Sequence, residues 1–120
     1  AVALNSAAVF LLDPGVISGA VKGYFTDEIL KTQRDLLDTE KYITENFLPT
    51  FISTANKDFI RDLSIKFDGF LTGKKVEHVF KEYGDQKHPR PHVFLINQKD
   101  QIASQANEAE ISFFKKFIEK

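Results

Sequence analysis

The 120-residue sequence contains no cysteine, no methionine and no tryptophan. Without cysteine there is no disulfide framework, no thiolate nucleophile and no cysteine-based zinc site. Without methionine, a chain beginning at Ala1 is expected to have been processed or trimmed. Charge of a single sign is also missing: 16 basic and 17 acidic residues leave a net charge of −1, spread along the chain. No basic face or acidic tail results, so no nucleic-acid partner is expected. A long hydrophobic run is absent as well. Ala1 to Leu12 is mostly apolar but is broken by Asn5 and Ser6, and a membrane span needs about 20 apolar residues. The segment reads as a first strand or helix. Alternatively it is the end of an anchor or signal segment upstream of Ala1, which tilts the expected location toward the outside of the cytoplasm.

What is present in quantity is phenylalanine, with twelve copies. The plain reading is that Phe fills core positions that Met and Trp would otherwise share. The chain length suits one domain, residues 1–120, with bulk for one core.

Two end units resemble each other. Val9-Phe10-Leu11-Leu12 stops at Asp13-Pro14-Gly15 and resumes through Val16 to Ala20, while Val93-Phe94-Leu95-Ile96 stops at Asn97 and resumes after Asp100. Short apolar runs bounded by turn residues read as buried strands or half-buried hairpins. Between them the sequence reads as helical. Thr26 or Asp27 can cap a long helix whose stripe is Ile29, Leu36, Ile43 and Phe47, ended by Pro49. Phe59, Leu63, Phe67 and Phe70 predict a second helix stopping at Thr72-Gly73. Val76, Val79, Phe80 and Tyr83 predict a short third one, closed by Gly84. His92 to Asn97 and Gln101 to Ser104 read as strands around a Gln98-Lys99-Asp100 reversal, before a last helix from Asn107 to Lys120. Lys115, Lys116 and Lys120 suit the dipole at its end. The expected class is therefore α+β: a small central sheet from N- and C-terminal strand units, packed against two to three amphipathic helices.

Chemistry-bearing patterns are few. His88 and His92 are four residues apart, but Pro89 and Pro91 exclude the helix that would align them, so no metal site is expected from them with His78. Asp68, Glu77 and Lys81 invite comparison with metal-dependent nucleases, yet the acid two residues before Lys81 that such sites use is replaced by Val79. No serine sits in a Gly-x-Ser-x-Gly elbow. Gly15, Gly19 and Gly23 form neither a phosphate loop nor a dinucleotide fingerprint. No cofactor is expected.

The segment from Lys57 to Ser104 resembles the first part of a Cache or PAS-like extracytoplasmic sensor domain. Thr26 to Leu48 would be its long helix, and Val93 to Ala103 its strand-turn-strand. The resemblance implies a non-enzymatic sensory or ligand-binding domain, and no binding residue is carried over from it. A small-molecule pocket would lie between sheet and helices, with Tyr83, Arg90 and His92 as polar contributors. The main alternative is a protein–protein interaction or assembly module of a secretion or surface apparatus, suggested by Phe113, Phe114 and Phe117 spreading beyond one stripe. A metal-dependent hydrolase or nuclease is the remainder.

Overall fold

The computed structural model describes residues 1–19 and 21–118. Ala20, Glu119 and Lys120 lie outside the described residues, and with them the dipole role expected of Lys120. Strand β1 (Val2–Asn5), β2 (Thr50–Ala55) and β3 (His78–Tyr83) form one sheet in the order β1-β2-β3, with both pairs parallel. In register, Leu4 stands opposite Ile52, and Ile52 opposite Phe80.

The central strand is buried along its whole length. Its side chains alternate between two faces, as the pleat requires. Ile52 packs with Phe67 and Leu71 of α4 (Arg61–Gly73), joined by Phe10, Ile43 and Val76. On the other face Phe51 meets Phe113 of α5 (Gln101–Ile118), and Ala55 meets Ala103 and Ala106. Alanines at both contact positions let α5 approach the sheet closely. Each large side chain buried this way contributes about 1.5–3 kcal/mol. Three polar residues share this core, and each hydroxyl finds an acceptor: Thr50 on Leu48 O, Ser53 on Asn5 Oδ1 and Thr54 on Asp58 Oδ2.

The α+β class is as expected, and β1 lies within Ala1 to Leu12, which reads as a first strand or helix, but β2 and β3 come from segments not expected to be strands. Val9 to Leu12 is not a strand: it leads into α1 (Pro14–Ser18), capped by Asp13 accepting from Gly15 N. The expected long helix is divided. Thr26 does cap α2, accepting from Ile29 N, yet α2 covers only Asp27–Thr32. A 3-10 turn follows at Arg34–Leu37, then α3 at Thr39–Tyr42. The Thr39 hydroxyl bonds Val9 O, and Ile43 turns extended to enter the core while Leu36 stays exposed. Those tertiary ties override the helical period.

The helix expected from Val76 to Tyr83 is instead β3. A short apolar run fits either period, and here the open edge of β2 supplies the ladder. The strand expected from His92 to Asn97 is a loop with a 3-10 turn at Phe94–Ile96, and the Gln101 to Ser104 strand is the first turn of α5. Asp100 explains that start, since its carboxylate accepts from Ile102 N as a helix N-cap. The second and last helices are observed. Among the described residues no helix is long and apolar enough to cross a membrane.

Candidate functional site

Because all three strands run in one direction, the segments that leave their carboxyl ends gather at one end of the sheet. Ser6 follows β1, Asn56 to Asp58 follow β2, and Gly84 to His92 follow β3. That end is where open parallel sheets place their ligands.

Backbone bonds then hold the last two segments together. Asn56 N donates to Tyr83 O at 2.9 Å, and Lys57 N to Arg90 O at 3.0 Å. The Asn56 side chain donates to Asp85 O and accepts from Arg90 N. Gly84 makes this closeness possible: its φ is +87°, and a Cβ there would stand 2.3 Å from Asn56 Oδ1. Asp85 shapes the rest of the loop, with Lys87 N and His88 N both donating to its Oδ1 at 2.7 Å. Those two amides, His88 first, hold the Asp85 carboxyl below its ordinary value.

The result is an acid–imidazole pair across 34 residues of chain: His92 Nδ1 lies 2.9 Å from Asp58 Oδ1. The Asp58 side chain is fully buried, whereas that of His92 is 31% exposed. Ile60 N also donates to Asp58 Oδ1, and the Thr54 hydroxyl to Oδ2. Burial pushes the Asp58 carboxyl up, but the Ser6 hydroxyl, the Ile60 amide and His92 outweigh it and hold it below its ordinary 3.8. An ionised carboxylate can only accept, so Nδ1 carries the imidazole proton and Nε2 presents its lone pair. Among the described residues nothing bonds Nε2.

Beside the pair, the Phe59 ring packs on His92 with centroids 4.5 Å apart. The same ring lines an open cavity of about 460 Å³ with Ala8, Val16, Ile60 and Leu63, bordered by Asp13 and Asp62.

The three residues expected at a ligand pocket fall at this end of the sheet but do different things. Tyr83 ends β3, half-buried against Phe94, and burial followed by the Glu110 charge pushes its phenol up. Arg90 faces Asp100: Nη2 donates to Oδ1 at 3.0 Å, and Nε lies 2.6 Å from Oδ2 without hydrogen-bond alignment. That contact ties the histidine loop to the start of α5 and holds the Asp100 carboxyl low. Only His92 joins the acid pair.

Asp58 was not legible in the sequence, and Phe59, expected as the first residue of a helical stripe, instead precedes α4 and is exposed. The available signal was an acid placed just after a strand, but β2 itself was unrecognised. His78 sits at the opposite end of β3, its Nε2 3.1 Å from Asp68 Oδ1 and its Nδ1 on Val76 O. His88 is exposed beside Asp85. Among the described residues no three His, Cys, Asp or Glu side chains group as metal ligands, and Asp68, Glu77 and Lys81 form no such cluster.

No family model matches the chain, and no curated protein does. Two solved structures are similar to it. Esterase B from Lactobacillus rhamnosis (HN001) superposes with a TM-score of 0.65 at 16% identity, over 94% of this chain and 39% of the esterase. An inhibited form of esterase B from Lactobacillus rhamnosis gives 0.64 at 13% identity, over 95% of this chain and 41% of the esterase. The chain thus has the fold of a part of these esterases and spans about two-fifths of their length. This likeness corrects the expectation of a non-enzymatic sensory, ligand-binding or assembly domain, and with it the expectation that the chain is no enzyme. His92, expected at a ligand pocket, has a buried carboxylate on its Nδ1. Phe113, Phe114 and Phe117, which suggested assembly, cluster together, with Phe113 buried on Phe51.

Proposed function

We propose that this chain carries the acid and the base of a serine-type hydrolytic site that cleaves esters. The observation that carries the reading is the 2.9 Å contact between a fully buried Asp58 carboxylate and Nδ1 of a partly exposed His92. Asp58 selects the tautomer and stabilises the imidazolium that forms during reaction, while His92 Nε2 is the general base. Nε2 takes the proton of an attacking hydroxyl as its oxygen adds to the ester carbonyl. It then returns that proton to the departing alcohol, and a water molecule repeats the sequence to release the acid.

Chain order supports the same reading. In α/β-hydrolases the nucleophile precedes the acid and the acid precedes the histidine, and Asp58 precedes His92. The serines ahead of Asp58 have other roles. Ser6 is buried and its hydroxyl accepts from Val93 N, Ser18 is exposed and donates to Pro14 O, and Ser53 is buried on Asn5. We therefore assign the nucleophile to a part of the esterase fold outside the two-fifths that this chain matches. The apolar cavity under Phe59 supports an ester with a small apolar group.

The test is hydrolysis of p-nitrophenyl acetate and butyrate by the full-length gene product. Asp58→Asn is expected to lower kcat roughly 10³- to 10⁴-fold, by analogy with the equivalent change in a serine protease triad. His92→Ala is expected to abolish both turnover and labelling by a fluorophosphonate. Turnover near the unmutated level in both variants, with the fold intact, would overturn the reading.

A further inference from the structure

The acid and the imidazole are neighbours in a register of their own. Arg90 N donates to Asn56 Oδ1 across 34 residues, Lys57 bridges Pro91 in parallel, and His92 meets Asp58 across 34 residues. Three consecutive residues on each arm, 56–58 and 90–92, therefore stand side by side. This is not the register of β2 and β3, in which Ala55 is paired with Tyr83. The chain leaves that ladder at Gly84, makes an excursion, and returns at Arg90 to pair again beyond the strand ends.

Pro89 and Pro91 flank Arg90, and neither has an N–H with which to hold the returning arm. Arg90 supplies what they lack. Its N–H goes to Asn56 Oδ1 at 2.9 Å, and its carbonyl accepts from Lys57 N at 3.0 Å. Nη1 donates to His88 O and to Pro89 O, both at 3.1 Å, which closes the excursion on itself. Nη2 donates to Asp100 Oδ1 at 3.0 Å, with only 19% of the Arg90 side chain and 15% of the Asp100 side chain exposed. Asp100 is itself fixed as the cap of α5, accepting from Ile102 N at 2.9 Å. Past His92 the arm ends, because Val93 turns left-handed at φ +50° and gives its N–H to Ser6 Oγ.

We propose that Arg90 is a positioning residue of His92: its guanidinium, seated on the helix-capping carboxylate of Asp100, holds the 90–92 arm in the register that sets the imidazole against Asp58. Arg90 touches no reacting atom and acts through the backbone two residues before the base. A planar fork suits the task, since one group must reach a carboxylate and two carbonyls together, and a lysine ammonium has no such fixed geometry. The inference rests on the hydrolytic reading for its catalytic consequence, but not for its geometry.

The experiment compares Arg90→Lys and Asp100→Asn in the full-length gene product. Lysine keeps the charge and loses the fork. Asparagine keeps an oxygen for the Ile102 amide and caps as well as aspartate, so α5 keeps its start while the ion pair is lost. The readout independent of turnover is the downfield proton resonance of His92 Nδ1–H, followed beside urea unfolding. In both variants the resonance is expected to move upfield or vanish. Turnover is expected to fall roughly 10- to 100-fold in kcat, the worth of one hydrogen bond to a charged group, with KM within about twofold. The double variant is expected to lose no more than about threefold beyond Arg90→Lys, since both changes remove one contact.

An unchanged resonance in either folded variant would overturn the inference, because an ordinary brace loses stability without moving the imidazole. Fully multiplying losses in the double variant would overturn it as well. Should Arg90→Lys fail to fold, Asp100→Asn decides alone. If Asp58→Asn left turnover intact while Asp100→Asn moved the resonance, the hydrolytic reading would fall and the positioning role would stand.

Discussion

Phe59 lays its ring against the imidazole of His92, centroids 4.5 Å apart and planes inclined by 46°, while 79% of the residue stays exposed. An exposed phenylalanine contributes little to folding, so on the hydrolytic reading its contact with His92 concerns the site. Phe59→Ala is expected to change stability by no more than about 0.5 kcal/mol, as read by urea unfolding. It is also expected to lower kcat/KM roughly tenfold, with more loss for butyrate than acetate esters as the apolar wall disappears. Equal losses for the two esters would separate Phe59 from substrate binding.

Acid should destabilise the chain in a window set by three carboxyls. Asp58, Asp85 and Asp100 are each held below the ordinary value of 3.8 in the folded state. A carboxyl with a depressed folded pKa stabilises fully above its unfolded value, and that contribution is lost as pH falls through the folded value. Unfolding free energy is therefore expected to be flat with respect to these groups above about pH 5 and to drop below 3.8. Asp58→Asn should remove part of that slope. Parallel acid limbs for the variant and the unmutated protein would show that Asp58 does not contribute.

Gly84 is a third point of sensitivity. Gly84→Ala would put a Cβ 2.3 Å from Asn56 Oδ1 and 2.9 Å from Arg90 N, at a φ of +87°. The expected loss is about 1–3 kcal/mol by denaturant titration, with turnover falling as the histidine loop moves off the Asn56 turn. Stability equal to that of the unmutated protein would mean that the loop relaxes freely.

Part of this was legible in the residues. The period of Phe59, Leu63, Phe67 and Phe70 specified α4, and the apolar stripe of Ile111, Phe114 and Ile118 specified most of α5, although the structure buries the neighbouring Phe113 and leaves Phe59, Ile111 and Ile118 exposed. β2 was not legible. Thr50, Ser53 and Thr54 interrupt its apolar run, and they are tolerated because each hydroxyl finds an acceptor, Thr50 and Thr54 close by in the chain and Ser53 on Asn5 of the neighbouring strand. β3 looked helical because a short run of Val, Phe and Tyr fits both periods. The choice fell to the neighbouring strand.

The end units with which the sequence seemed to announce its sheet turned out to be connections. Val9 and Phe10 pack in the core from an irregular segment, and Phe94 does so from a 3-10 turn. Apolar character buried Phe10 and Phe94 without making strands of their segments, and it left Ile96 exposed.

By itself the sequence determined the α+β class, two of the helices and the exclusion of cysteine chemistry, since these depend on composition and on local period. Only the tertiary structure decided that Asp58 meets His92 and that Ser6 meets Val93. Parallel strands bring loops far apart in sequence to one end of the sheet, and no local pattern encodes a contact across 34 or 87 residues.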